Sequence, residues 1–379
     1  MTNGQGLTLL RPTYGAVDLS ALKFNLLKAK FIISTRYTVH QPKIMLLVKA
    51  NAYGHDALLI SAYTQKENLC DAFGVASIEE GIILRQNGIT LPILVLGSIY
   101  PFDCFEYALK NNLSVTVASV RAAAYITQLA EKLKIKALCH VKQETGMGRI
   151  GSRKPAVLEI LRILNKSEYV KIEGTFSHFS SAENDGEYTN TQLGYFKDLL
   201  ACAAAEGLDT GLAHISATPG FLNYPQAWFD MVRLGHLAYG LEDGFKPVLS
   251  LRSKVVFIKD VRAGAGISYG HTFAPKTPAK IATIPIGYGD GYHRTLSNKA
   301  QVLINGVRCP AVGNITMDML MADITALGDI PVGSDVVLIG TQGKETISAA
   351  ELAKLAGTID YEILTSLTAR VPRIPTQEL

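Results

Sequence analysis

The sequence predicts an α/β protein of two domains. The first is a TIM-like (β/α)8 barrel over residues 12–245; the second is mainly β, over 246–379, with residues 1–11 free to join it. Three observations predict this. Apolar runs alternate with helical patterns about eight times over about 230 residues, a count and span that suit a closed parallel barrel better than an open sheet. The runs are apolar throughout, as strands covered on both faces are. Near residue 245 that rhythm stops, and short strands with Gly-containing turns replace it.

In order, YGAVD (14–18) reads as the first strand and LSALKFNLLKAKF as the helix behind it. IMLLVK (44–49) is a buried strand ending in a charge, followed by a helix through ALLISAYTQKE. Residues 73–76 form a strand, and IEEGIILRQNG a helix closed by a glycine. The pairing repeats with strands at 93–97, 113–118, 137–142 and 170–178 and helices through FDCFEYALKNN, RAAAYITQLAEKL, AVLEILRILNK and NTQLGYFKDLLACAAAEG. Strands at 213–216 and 231–239 complete the series. Beyond it, SLRSKVVFIKDVRAG, AKIATIPIGYG, AQVLINGVRCPAVG and SDVVLIGTQG read as strands with turns; helix returns at SAAELAKLAG and YEILTSL.

Composition narrows the function classes. The 37 Lys+Arg against 33 Asp+Glu leave a net charge of +4, without the clustered basicity of a nucleic-acid binder. The five cysteines (Cys70, Cys104, Cys139, Cys202, Cys309) are dispersed without a CxxC pair, which argues against a disulfide framework or a structural zinc site and for a reducing, cytoplasmic compartment. The start, MTNGQGLTLLRP, lacks the basic and apolar regions of a secretory signal. No run approaches about 18 apolar residues, so no membrane span is expected. No metal site is expected either.

Barrel chemistry sits at the C-terminal ends of the strands. Three strands end there in reactive residues: Lys49 after LLV, Lys142 after LCHV and His178 after GTFS. A strand-end lysine is ordinarily a snorkelling side chain, but one that is partly desolvated has a lowered pKa and can serve as an amine nucleophile.

The octet from Val48 to His55, VKANAYGH, resembles the pyridoxal-phosphate attachment signature of alanine racemases. Four further motifs follow in the family's order: KQETGMGR (142–149), MVRLG (231–235), GISYGHTF (266–273) and RVPR (370–373), with Met317-Asp318 resembling the substrate-carboxylate loop. The resemblance implies a fold-type III pyridoxal 5'-phosphate enzyme, an isomerase interconverting L- and D-alanine. It implies a homodimer with shared active sites, supplying D-alanine for peptidoglycan.

By that resemblance Lys49 holds the cofactor as an aldimine and acts as one base, and Tyr269 of the partner subunit is the other. Racemisation needs a base on each face of Cα. A phenol titrates near 10, so Tyr269 needs nearby cations, supplied in the family through His178 and Arg233. Arg233 would face the cofactor's ring nitrogen. A guanidinium only donates, so that nitrogen stays unprotonated and side reactions are suppressed. Arg149 would contact the cofactor's phenolic oxygen and the substrate carboxylate, and Met317 would offer that carboxylate its backbone N–H. Tyr53, Thr218, Gly235 and His236 would bind the phosphate. Lys142 matches a lysine that is carbamylated in some members, and Tyr288 one that lines the substrate entrance.

Several positions depart from the family's usual pattern. Asp56 stands for Gly, Thr218 for Ser, His236 for an aliphatic residue, Asn314 for Arg, Thr316 for Cys and Ala369 for a phosphate-reaching Tyr. A roomier pocket with an added hydroxyl keeps a serine or broad-specificity racemase open. A non-catalytic pyridoxal-phosphate barrel would lack residues 246–379 and Tyr269. A decarboxylase of this architecture would carry a catalytic Cys motif, which the VRCPAVG around Cys309 does not resemble.

Overall fold

Residues 9–36 and 41–376 are described by the computed structural model. Residues 1–8, which carry most of the expectation about a signal and about the N-terminal segment, lie outside the described residues, as do 377–379. In chain order the first nine strands are β1 (Tyr14–Asp18), β2 (Lys43–Leu47), β3 (Ala72–Val75), β4 (Ile93–Val95), β5 (Ser114–Val117), β6 (Ala137–Lys142), β7 (Val170–Phe176), β8 (Leu212–His214) and β9 (Met231–Leu234). The rest are β10 (Leu249–Lys254), β11 (Phe257–Val261), β12 (Ala279–Ile284), β13 (Gln301–Ile304), β14 (Val307–Pro310), β15 (Leu320–Asp323), β16 (Asp335–Gln342), β17 (Glu345–Ile347) and β18 (Arg373–Thr376).

The chain divides into two compact units. One, Asn25–Ala52 with Ile60–Ala238, is the barrel. Its strands run in the order β8-β7-β6-β5-β4-β3-β2-β9, with every neighbouring pair parallel. Closure between β8 and β9 is made by Asp230, whose backbone N–H donates to the Ala213 carbonyl at 3.0 Å and whose carboxylate accepts from the Ala213 N–H at 2.7 Å. The Arg233 N–H adds a bond to the Ser216 carbonyl at 3.0 Å. Strand cores such as Ile93–Val95 are buried at every position, as double coverage requires. Helices start where short polar side chains take up free N–H groups: Ser77 accepts from Glu80, Ser119 from Ala122 and Asp185 from Tyr188. Trp228 is wholly buried, stacks on Phe221 at 4.9 Å and donates its indole N–H to the Phe221 carbonyl.

The other unit holds the described residues up to Phe24, Tyr53–Leu59 and the chain from Tyr239 onward. It contains a seven-stranded sheet, β14-β13-β16-β10-β1-β18 with β17 on β16, and a three-stranded sheet, β11-β12-β15. The β13–β14 hairpin turns at Asn305-Gly306, both with positive φ, as a two-residue turn matching strand twist demands. Val302, Leu303, Val337, Leu338 and Leu320 are fully buried in its core.

One element corrects the sequence reading. β1 has the predicted bounds but is not a barrel strand: it pairs antiparallel with β10 and parallel with β18. The barrel's eight strands are therefore β2 to β9. A short apolar strand followed by a helix looks alike in either setting, because periodicity reports burial and not the partner. Among the described residues no helix is long and apolar enough to cross a membrane.

Arg373, at the start of β18, is 9% exposed and donates to the carbonyls of Gly54 (2.7 Å), Leu367 (2.8 Å), Thr368 (2.8 Å) and Val371. Unpaired buried carbonyls are costly, so Arg373→Met should lower unfolding free energy by about 3 kcal/mol in urea titration. A loss below about 0.5 kcal/mol, the usual scale of a surface change, would contradict that role.

Candidate active site

Lys49 lies two residues beyond the end of β2 and opens the turn Lys49–Gly54. Ala50, Asn51, Ala52 and Tyr53 all have φ between 50 and 55°, followed by Gly54 at 82°. Four consecutive L-residues in a left-handed turn cost about 4–8 kcal/mol in all, at roughly 1–2 per residue. Such strain persists only where the surroundings over-determine it. Here the Ala52 N–H bonds the Val48 carbonyl at 2.8 Å, and Glu80 spans the entry, accepting from the Ala50 N–H and the Ala76 N–H, each at 2.7 Å. Gly54 has no alternative: a Cβ there would sit 2.2 Å from the Leu364 carbonyl oxygen. Asp56, the departure from the family's glycine, accepts from the Leu58 and Leu59 N–H groups and so caps the helix Ala57–Lys66.

The barrel end around Lys49 is rich in cations. Burial first, then the charges of Arg149 and Arg233 against an opposing pull from Glu80, hold the Lys49 amine below its ordinary pKa. Lys142, at the end of β6, is 4% exposed with its ammonium 4.4 Å from the Phe176 ring centre. Burial, Arg233 and Arg149 outweigh Glu144 and push it well below the usual lysine range. Arg149 is exposed on the loop after β6. Glu144 shapes that loop by accepting from the Gly146 and Gly148 N–H groups.

Arg233 is the most deeply placed cation, 2% exposed. One terminal nitrogen donates to His214 Nδ1 at 2.7 Å; the other donates to the carbonyls of Ser177 and Ile215, both at 2.8 Å, and to His178 Nδ1 at 3.1 Å. Burial, then Arg149, draws its pKa down to about 9, which leaves it charged at neutral pH. His178 and His214 are pushed well below the ordinary histidine value by burial and next by Arg233.

The strand beside β2 is β9, with Leu46 opposite Leu234. Gly235 and His236 therefore follow the neighbouring strand end. Thr218 is 2% exposed, and its hydroxyl accepts from the Leu237 N–H at 3.3 Å, which ties the start of the helix Thr218–Asn223 to the 235–237 loop. The barrel unit thus brings together Lys49, Arg149, His178 and Arg233, and places Thr218 beside Gly235 and His236.

Tyr53, Tyr269 and Met317 belong to the other unit. Tyr53 is buried, its ring centre 5.1 Å from Tyr239 and 5.6 Å from Tyr361, and burial pushes its phenol up to about 12. Tyr269 is 74% exposed, and its carbonyl accepts from the Asn314 side chain at 2.8 Å. Asn314 thus fastens the tyrosine loop, and its own carbonyl accepts from the Ser268 hydroxyl. Met317 is also exposed; its carbonyl takes the Gly289 N–H, while among the described residues its own N–H donates to nothing. Tyr288 sits alongside, its N–H on the Thr316 carbonyl. The Thr316 hydroxyl both donates to the Met319 carbonyl and accepts from its N–H, which ties its proton and one lone pair to the backbone. Ala369 is exposed.

Sequence reasoning passed over His214, Ser177 and Glu80. A histidine in LAHIS at a barrel strand end was the available signal for His214, the same signal that singles out His178. Nothing in a helix-opening Glu announces the clamp formed by Glu80.

The chain matches the family described as alanine racemase, N-terminal domain, over residues 17–243, and alanine racemase, C-terminal domain, over residues 248–375. It is 40% identical over 374 residues to the alanine racemase of Halothermothrix orenii, covering 96% of this chain and 97% of that one. It is 37% identical to that of Methanococcus maripaludis, covering 96% and 98%. The crystal structure of the alanine racemase of Bacillus anthracis with bound L-Ala-P superposes with a TM-score of 0.91 at 35% identity, over 98% of this chain and 96% of that one.

His140 on β6, held down to about 4 by burial first, joins His178 and His214 as histidines kept neutral in the fold. The unfolded chain, with histidines near 6.5, binds more protons than the folded chain below that pH. The stability they provide is complete above about 6.5 and is lost as pH falls below it, towards about 4 for His140, by up to about 1.4 kcal/mol per pH unit per histidine. Urea midpoints should fall between pH 7.5 and pH 5. Constant midpoints would contradict the neutral assignment.

Proposed function

The chain belongs to the alanine racemase family, and we propose that it interconverts L- and D-alanine with pyridoxal 5'-phosphate, as a cytoplasmic homodimer supplying D-alanine for peptidoglycan. The observation that carries this reading is Lys49: a desolvated amine on a strained turn at a barrel strand end, among Arg149, Arg233 and Lys142. This donor set fits the cofactor. An amine of lowered pKa suits bonding to an aldehyde, and the charges of Arg149 and Arg233 beside it suit a phosphorylated anion. Lys49, Tyr53, Arg149, His178, Thr218, Arg233, Gly235 and His236 would hold it. When bound, it spreads the negative charge left at Cα as the proton departs.

The protein's own groups do the rest. The Lys49 amine takes or returns the proton on one face of Cα, and the phenol of Tyr269 of the partner subunit does so on the other. Arg149 and the unused Met317 N–H bind the substrate carboxylate. Arg233 only donates, so a ring nitrogen facing it stays unprotonated. His178 accepts from Arg233 at Nδ1, so when neutral it carries its proton on Nε2 and can donate to the phenolic oxygen, favouring the phenolate. The exposure of Tyr269 and Met317 in the single chain supports their service in a dimer.

Loaded wild type should racemise both alanine enantiomers. Tyr269→Phe should keep the visible absorbance and lose activity by at least about 100-fold, the scale of a removed acid–base group. Lys49→Ala should lose the absorbance of the attached cofactor. With the Thr316 hydroxyl engaged, serine should turn over much more slowly than alanine. Equal rates would favour the broad-specificity reading that the exposed Ala369 allows.

A further inference from the structure

Below the site, towards the other end of the barrel, the hydrogen-bond chain continues. His214 Nε2 lies 3.0 Å from His140 Nδ1, and the two rings meet edge to face at 75°. His214 is fully buried and stacks on Phe176 at 4.9 Å with 3° between the planes, while His140 is 4% exposed. Among the described residues this is the only hydrogen bond of the His140 side chain. The residue lines a cavity of about 400 Å³ shared with Lys43, Asp71, Ser114, Lys171 and Glu173.

The backbone makes room for this ring. The β6–β7 register slips between Cys139, opposite Ile172, and His140, opposite Gly174, leaving Glu173 as the extra residue. A Cβ on Gly174 would stand 2.5 Å from His140 Nδ1. A bulge and a glycine thus coincide at the contact.

Proton positions along the chain follow from one fact: a guanidinium has five donors and no acceptor. Arg233 donates to His214 Nδ1, which must be bare. Neutral His214 then carries its proton on Nε2 and donates it to His140 Nδ1, also bare. Neutral His140 carries its proton on Nε2. Protonating either ring would set two donors against each other.

We propose that His140 is a positioning residue for the racemisation: by accepting from His214 it locks that ring's tautomer and aim, and so fixes the guanidinium of Arg233 against His178. Burial and the Arg233 charge, which hold both histidines neutral, agree with this. The link to catalysis rests on the function proposed above; the tautomer order does not.

The test is nitrogen NMR on the full chain with ¹⁵N-labelled histidine, before and after loading with pyridoxal 5'-phosphate, together with two substitutions. His214 should show the Nε2–H tautomer in both states. His140→Leu removes the acceptor; His140→Asn places an oxygen near the position of Nδ1. The Leu variant should lose about tenfold in kcat with KM for alanine changed less than about twofold, as one unsatisfied buried donor would cause. The Asn variant should return to within about threefold of wild type. An Nδ1–H tautomer at His214, or equal behaviour of the two variants, overturns the proposal. Should the Leu variant not fold, the Asn variant's near-normal kcat and the wild-type spectrum still decide it. Wild type with the stated tautomers but no racemisation would sink the proposed function and leave the hydrogen-bond order standing.

Discussion

A single buried guanidinium, that of Arg233, sets the terms for everything around it. It is taken from water without a carboxylate partner among the described residues, and its charge is spread over two carbonyls and two imidazoles. Removing such a charge from water costs several kcal/mol, which the low-dielectric bonds must offset. Because it can only donate, its imidazole neighbours must accept; burial first and its charge next hold His178 and His214 neutral, and with burial and Arg149 it lowers the proton affinity of Lys49 and Lys142. A barrel end organised this way has an unmet attraction for negative charge and a lysine eased towards its nucleophilic form. Both properties suit a phosphorylated aldehyde; burial and Arg149 act first on the lysine, and Arg233 adds to them from β9.

The second constraint is local strain. The turn that presents Lys49 runs left-handed through four residues with side chains, a conformation no isolated segment would keep. Glu80 fixes its entry, and Arg373 holds the Gly54 carbonyl at its exit. The strain fixes the direction in which the chain leaves β2, and with it the position of the amine. Rigid support of this kind keeps a reacting group where chemistry needs it.

Much of the architecture was legible in the sequence for a physical reason. Parallel strands buried on both faces appear as unbroken apolar runs, and the helices between them open on Ser and Asp caps. The partner of each strand was not legible: YGAVD has the pattern of a barrel strand, yet pairs with β10 and β18. The site divides likewise. Lys49, Lys142 and His178 stood out because strand ends in a barrel converge, and Arg233 through the resemblance of MVRLG to the family. His140 and His214 did not, since a buried histidine's role lies in which nitrogen faces which neighbour. Thr316 adds a detail that composition could not show: its hydroxyl proton and one lone pair are tied to the backbone of Met319.

The proposed proton-handling groups lie on a barrel that supplies Lys49 and on a β unit that presents Tyr269 to solvent. In the proposed dimer, two chains complete each other's sites. Mixing the inactive Lys49→Ala and Tyr269→Phe proteins, with subunit exchange, tests this directly. In a heterodimer one site carries both substitutions and the other neither, so random exchange should restore about a quarter of wild-type racemisation. A mixture that stays inactive after demonstrated exchange would contradict the shared site.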